Sequence, residues 1–257
     1  MGVQIKTKKQ NKMINKFFTV EKLLTIAASK QHAAFASGDV MVDWTALQIP
    51  KGASKLLSAT VLIRPKGDAS PTDNNFAFDL LFSKTNTVSL GTVNSAVAHS
   101  PSNDFIGVIE FDSGNFANTA MQSTAIAQVG NESNNATTPI VIQGDTTTGD
   151  NVGFDTIYVG MTARDAFDFT SINAVNETSF NVGSQTVITM DGTGMDVREH
   201  FTAGDVLHAQ DDAVLGTVAS VNSATKITLT AANTEAIEED DIIYNINPVK
   251  IILGFEK

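Results

Sequence analysis

The sequence contains no cysteine. That removes disulfide frameworks, thiolate zinc sites and thiol nucleophiles together, and it fits assembly in a reducing cytoplasm. Aromatic side chains with a polar tip are scarce: one Trp and two Tyr stand against fifteen Phe. Rings in that proportion serve packing more than contact with polar ligands. No run of about eighteen apolar residues occurs, so no transmembrane helix is expected. The chain has neither a GxxxxGKS loop nor a strand–GxGxxG–helix unit, and no GxSxG elbow. "DGTGMD" at 191–196 reads as a hairpin turn.

Positive charge is concentrated at the start. Lys6, Lys8, Lys9, Lys12, Lys16 and Lys22 against Glu21 give residues 1–22 a net charge of +5, which leaves −16 for the remainder of a chain whose total is −11. A basic arm on an acidic body suggests contact with something negative, either an acidic neighbouring surface or nucleic acid. A solvated terminus is the plainer alternative. The acidic body argues against a nucleic-acid-binding domain. "KKQNKMINKFFTVEKLLTIAASKQHAAFA" has the basic start and small-residue end of a secretory leader. Glu21 and Lys22 interrupt its apolar run, however, and such regions need roughly 7–15 apolar residues. "MGVQIK" places Lys6 where myristoylation requires Ser or Thr.

Residues 1–30 read as an extended basic arm. Within it, Phe17 to Lys30 suits a short helix, because Phe17, Val20, Leu24, Ala27 and Ala28 share a face at helical spacing. The β-branched Thr19, Val20, Thr25 and Ile26 favour an extended segment instead. From about Gly38 the grammar is that of strands, short and rich in Val, Ile, Phe and Thr, bounded by Gly, Asn, Asp, Pro and Ser. "DVMVDWTAL", "LLSATVLIRP", "FAFDLLFSK", "DFIGVIEFD", "TPIVIQGD" and "FDTIYVGMTA" are predicted strands. "QVGNESNNATTP" is a polar excursion between them. Phe76, Phe78, Leu80 and Phe82 alternate onto one face, the predicted core face. The pattern predicts an all-β chain, a sandwich or barrel.

Near Asn173 the strands shorten and crowd together, as in a small barrel. The last segment, "NPVKIILGFEK", alternates Val249, Ile251, Leu253 and Phe255, and a strand this apolar belongs in a core. The expected organisation is therefore a main β-sandwich of residues 31–174 plus 247–257. A small β-barrel of residues 175–246 is inserted before the final strand.

Candidate chemistry is thin. His32, His99, His200 and His208 are scattered. His200 and His208 lie near Asp205, Asp211 and Asp212, residue types that can bind zinc, but the spacing matches no compact ligand pattern. Glu238, Glu239, Asp240 and Asp241 are consecutive and point in different directions, so they read as a solvated turn. "DTTTGDN" at 145–151 lacks the order of an EF-hand. Ser100 beside His99 is not a triad, and paired carboxylates of the glycosidase kind could occur in any acidic β protein. Asn131, Asn135 and Asn176 begin sequons, which matter only in a secreted eukaryotic protein. No catalytic residue, metal site or cofactor is expected.

Two long stretches carry a resemblance: "ASGDVMVDWTALQIPKGASKLLSATVLIRPKGD" and "LGTVASVNSATKITLTAANTEAIEEDDIIYNINPVKIILGFEK". With the Asn- and Thr-rich strands between them, they resemble virion structural proteins of tailed bacteriophages from aquatic hosts, of the capsid cement or decoration type. The likeness covers most of residues 38–257 and is one of style, without a catalytic signature. It implies a jelly-roll-like β-sandwich and a non-enzymatic role on the virion, assembled in the host cytoplasm. It also implies the major capsid protein as partner, self-association as a homotrimer at threefold positions of the head, and no membrane. The arm residues Lys6, Lys8, Lys9, Lys12, Lys16, Phe17 and Phe18 are the candidate partner contacts. The alternatives are a tail, collar or fibre-associated component, a carbohydrate-binding β-sandwich and, last, a hydrolase on a β scaffold. Sugar-binding modules often expose Trp and Tyr, and this chain has only Trp44, Tyr158 and Tyr244.

Overall fold

The computed structural model describes residues 16–64, 76–99, 104–116, 125–129, 140–142, 154–169, 174–191 and 196–257. Strands dominate. The first part of the chain forms β1 (Phe17–Leu24), β2 (Val40–Pro50), β3 (Ser54–Ile63), β4 (Phe78–Ser83) and β5 (Phe105–Phe111). It continues with β6 (Ala125–Val129), β7 (Ile140–Ile142) and β8 (Phe154–Ala163), and one short helix, α1 (Ala28–Gln31), follows β1. The second part forms β9 (Ala174–Val175), β10 (Val187–Thr189), α2 (Val197–His200), β11 (Val206–His208), β12 (Val214–Ser223), β13 (Lys226–Leu229) and β14 (Ile242–Asn245). The chain ends in β15 (Val249–Glu256).

The main domain is a sandwich of two antiparallel sheets. One runs β1-β15-β3-β6, with β7 also on β3, and the other runs β2-β8-β4-β5. Successive strands swap sheets at nearly every step, and the last strand enters between the first and the third. That order, two interleaved Greek keys, is the jelly roll. Alternation along each strand supplies the core: Val249, Ile251, Leu253 and Phe255 are buried from β15, and Phe78, Leu80 and Phe82 from β4. Phenylalanines stack side by side along the second of these sheets, with Phe78 on Phe111 at 4.7 Å and Phe76 on Phe167 at 4.0 Å. Each fully buried side chain of this size stabilises the fold by about 1.5–3 kcal/mol.

Residues 174–246 form a second sheet and a second core. Its order is β10-β13-β12-β11-β14-β9. A bridge between Asn176 and Met190, with the Glu177 amide donating to the Thr189 carbonyl at 3.1 Å, joins the two ends of that sheet into a small barrel. Ile188, Leu207, Leu215, Ile227 and Ile243 are among the side chains that fill it.

The segment from Phe17 to Lys30 is a strand followed by one helical turn, in place of the short helix that its spacing suits. Phe17–Leu24 pairs with β15 along its whole length, from Phe17 opposite Glu256 to Leu24 opposite Val249. The apolar residues of "FFTVEKLL" fall on both strand faces, so local periodicity favours the helix. A ladder to a strand more than two hundred residues away decides otherwise. Lys6, Lys8, Lys9 and Lys12 lie outside the described residues, as do most of the "QVGNESNNATTP" excursion, "DTTTGDN", Asn131 and Asn135.

Candidate functional site

Three of the candidate contact residues are brought together where β1 begins. The Lys16 amide donates to the Lys257 carbonyl at 3.2 Å, and the Lys257 amide donates back to the Lys16 carbonyl at 2.9 Å. Phe17 and Phe18 then point to opposite faces. Phe18 turns inward and stacks on Phe255, ring centroids 5.1 Å apart and nearly parallel. Phe17 turns outward and is 70% exposed. A groove of about 360 Å³ runs across this corner, lined by Phe17, Phe18, Thr19, Leu57, Ser58 and Gly254, with Phe255 at its end. Gly254 keeps it open: a Cβ there would come within 2.5 Å of the Ser58 hydroxyl oxygen. Of these residues only Phe17 and Phe18 are candidate contacts in the sequence; Leu57, Ser58, Gly254 and Phe255 arrive from β3 and β15 through pairing that no local pattern encodes.

The same strand forms the edge of its sheet among the described residues. Its outer face carries Phe17, Thr19, Glu21 and Leu23, and Leu23 is 46% exposed. Glu21 is held by the Lys250 ammonium at 2.6 Å. The basic residues of the N-terminus therefore lead straight into an open, partly apolar sheet edge.

Elsewhere, polar side chains are engaged in holding the fold. Asp205, weighed as a metal ligand, faces the Arg64 guanidinium at 3.4 Å and accepts from the Asn245 amide nitrogen at 2.9 Å. Asp212 adopts a positive φ of 73° and accepts from the Ser29 amide at 2.9 Å and the Ser29 hydroxyl at 2.6 Å. Gln31 donates to the Asn245 carbonyl at 3.1 Å, and the Tyr244 hydroxyl lies 2.6 Å from His32 Nδ1 in a hydrogen bond. Burial, with Asp168 adding to it, pushes the Tyr244 phenol far above its ordinary range. These contacts tie α1 and the end of β3 to the small barrel. Among the described residues no group of three or more His, Asp or Glu side chains converges to hold a metal ion.

The acid run closes its own turn. Asp240 has a positive φ of 68°, and the Asp241 carboxylate accepts from the Glu238 amide at 2.9 Å. Asn176 is fully buried and its amide donates to the Thr178 and Glu238 carbonyls, so it is no glycan acceptor. Trp44 donates from its indole nitrogen to the Val88 carbonyl at 2.8 Å. Its ring lies against Gly160, where a Cβ would approach it to 3.2 Å.

One carboxylate has its titration displaced upward. Asp79 of β4 shares Arg164 with Glu110 and Asp112, at 3.8, 3.4 and 2.9 Å respectively. Burial pushes its pKa up to about 6, Arg164 opposes the shift, and Glu110 and Asp112 add to it. Such a shift can mark a catalytic acid, but here Arg164 bridges all three carboxylates in a structural network. The sign of the effect on stability follows from the raised value. Below pH 4 the folded and unfolded chains both hold the proton, and the group costs nothing. Between pH 4 and 6 the unfolded chain releases it first, so stability falls as pH rises, and above 6 the full cost of the buried charge remains. With the side chain 24% exposed, solvent reduces that cost to about 2 kcal/mol. Asp79→Asn is expected to flatten this part of the stability profile and to gain about 1 kcal/mol at pH 8, with no gain at pH 4. Denaturant unfolding of both proteins across that range checks it, and an equal difference at every pH would contradict it.

No protein-family model matches the chain, and comparison with curated proteins gives no match. Among the described residues no helix is long and apolar enough to cross a membrane.

Proposed function

We propose that this chain is a structural virion protein of a tailed phage. It binds and stabilises the capsid lattice as a cement or decoration protein, without enzymatic activity, with the major capsid protein as its partner and three copies grouped at each threefold position. The observation that carries this reading is the corner described above: a Lys-rich terminus runs directly into the open edge of a jelly roll whose polar side chains hold its two cores together. Jelly rolls recur in viral capsid proteins, but also in lectins and cupins, so the fold does not decide the matter. The lectin alternative asks for a free aromatic platform, and Trp44 is hydrogen-bonded and laid against Gly160.

The physical basis of cementing is mass action. A protein that binds only the assembled lattice stabilises it in proportion to the logarithm of its concentration over its Kd, and symmetry multiplies each contact. A basic arm on an acidic lattice surface adds a term that salt screens over about 10 Å at 0.1 M.

The test adds purified chain to heads of its phage that lack it. The truncation to compare must remove residues 1–15 and no more, because Phe17–Leu24 is part of the sheet. Full-length chain is expected to bind the heads and raise their resistance to heat. The truncated chain is expected to bind at least tenfold more weakly at low salt, about 1.4 kcal/mol, with the difference shrinking toward 0.5 M salt. Absence of any binding to heads would end this reading, and binding to tails alone would replace it with the tail-component alternative.

A further inference from the structure

We propose that the edge of β1 left unpaired among the described residues pairs with the β1 edge of a second copy of the chain, antiparallel about a twofold axis at Val20, joining two jelly rolls through one continuous sheet. The backbone geometry comes first. In an antiparallel ladder, residue pairs alternate between those that exchange both backbone hydrogen bonds and those that exchange none. Lys16 and Lys257 exchange both. Stepping along the uninterrupted register, the even residues Phe18, Val20, Lys22 and Leu24 bond to β15. The odd residues Phe17, Thr19, Glu21 and Leu23 therefore direct their amides and carbonyls away from β15, toward the free edge. This edge has no proline and no bulge along its length, the features that commonly block strand addition.

The side chains then select the partner and the register. Residues directly opposite in an antiparallel pair share a face. With Val20 on the axis, Phe17 faces Leu23 of the second copy, and Thr19 faces Glu21. All four outward-directed residues are then paired, so every outward amide and carbonyl finds a partner. The two exposed apolar side chains of the strand, Phe17 at 70% and Leu23 at 46%, cover each other, twice by symmetry. On the inner face, Lys22 lays its alkyl stem against Phe18 of the second copy. Shifting by one step in either direction fails on charge, since Glu21 then faces Glu21, or Lys16 faces Lys22. Self-complementarity of sequence and backbone parity together make a second copy the occupant of this edge in the purified chain; the pairing does not rest on capsid binding, and on a lattice it would join copies of neighbouring threefold groups and leave residues 1–15 for the capsid surface.

The absence of cysteine makes the test direct. Two Cα atoms in a pair that exchanges no hydrogen bonds lie about 4.5 Å apart, within disulfide range. Val20→Cys in the full chain, purified alone and mildly oxidised at high micromolar concentration, is expected to convert most of the protein to a covalent dimer. Val182→Cys, on an exposed position of the small barrel, is expected to stay largely uncrosslinked. Adding Thr19→Pro to the Val20→Cys chain removes one outward amide without touching the bonds to β15, and is expected to reduce crosslinking at least tenfold. Circular dichroism identifies any variant that has lost its fold, and Glu21→Cys with Thr19→Cys, expected to crosslink twice per dimer, serves as the second probe. A folded Val20→Cys protein that remains monomeric, crosslinks no faster than Val182→Cys, or ignores Thr19→Pro would overturn the pairing.

Discussion

Leu253→Asp is expected to leave no cooperatively folded jelly roll at 25 °C. Leu253 is fully buried in β15, opposite Val20 on one side and Ala59 on the other. The strand is internal to its sheet, so the substitution puts a carboxylate in the middle of the main core. An unpaired buried charge costs at least about 5 kcal/mol, which is comparable with the whole stability of an ordinary domain. Ile252→Thr, one residue earlier, should cost only about 1 kcal/mol, because Ile252 is half-buried on the outer face opposite Thr60. Denaturant unfolding with a near-ultraviolet probe compares the two. Equal effects would mean that the inward face of β15 has been assigned wrongly.

Arg64→Ala is expected to loosen the joint between the domains and to cost about 2 kcal/mol. Arg64 follows β3 directly. Its Nε donates to the Asn247 carbonyl at 3.0 Å, and both terminal nitrogens reach Asp205 at 3.4 Å. The side chains of the pair are only 21% and 14% exposed. Burial lowers the Arg64 pKa in spite of Asp205, so desolvation outweighs the attraction. Removing the guanidinium leaves Asp205 with the Asn245 amide nitrogen and the Thr202 amide as donors and no counterion. Breaking one half of a buried pair is costly, whereas replacing both halves with neutral groups is often close to neutral. Arg64→Met with Asp205→Asn is therefore expected to recover more than half of the loss. The single variant should also separate the unfolding of the two cores, which amide exchange can resolve by region. A single variant that unfolds as the parent does would show that the joint rests on the α1 contacts alone.

The all-β architecture was legible because strand alternation is a local signal. Phe76, Phe78, Leu80 and Phe82 all lie in the core at 2% exposure or less. The final strand could be read as buried from its four alternating apolar residues, yet nothing local says that it lies between β1 and β3. For the same reason β1 was ambiguous: "FFTVEKLL" has helical spacing but carries the β-branched Thr19 and Val20, and its partner is at the other end of the chain. Ala125–Val129 was not picked out as a strand, since "AIAQV" is short and runs into an Asn-rich stretch. The corner groove was half legible. Lys16, Phe17 and Phe18 stand out as a charged residue followed by two aromatics, but Leu57, Ser58 and Gly254 join them only through sheet register. The joint was not legible either, because Arg64–Asp205 and Ser29–Asp212 link positions more than a hundred residues apart.

The most direct measurement of the central claim is an image of the intact phage particle by electron cryomicroscopy, at a resolution that separates subunits. The expected result is a two-lobed, all-β density on the head shell, repeated at its threefold positions, with the N-terminal corner of the larger lobe against the major capsid protein. A head shell without such density, with the chain found in the tail or missing from the particle, would contradict the account.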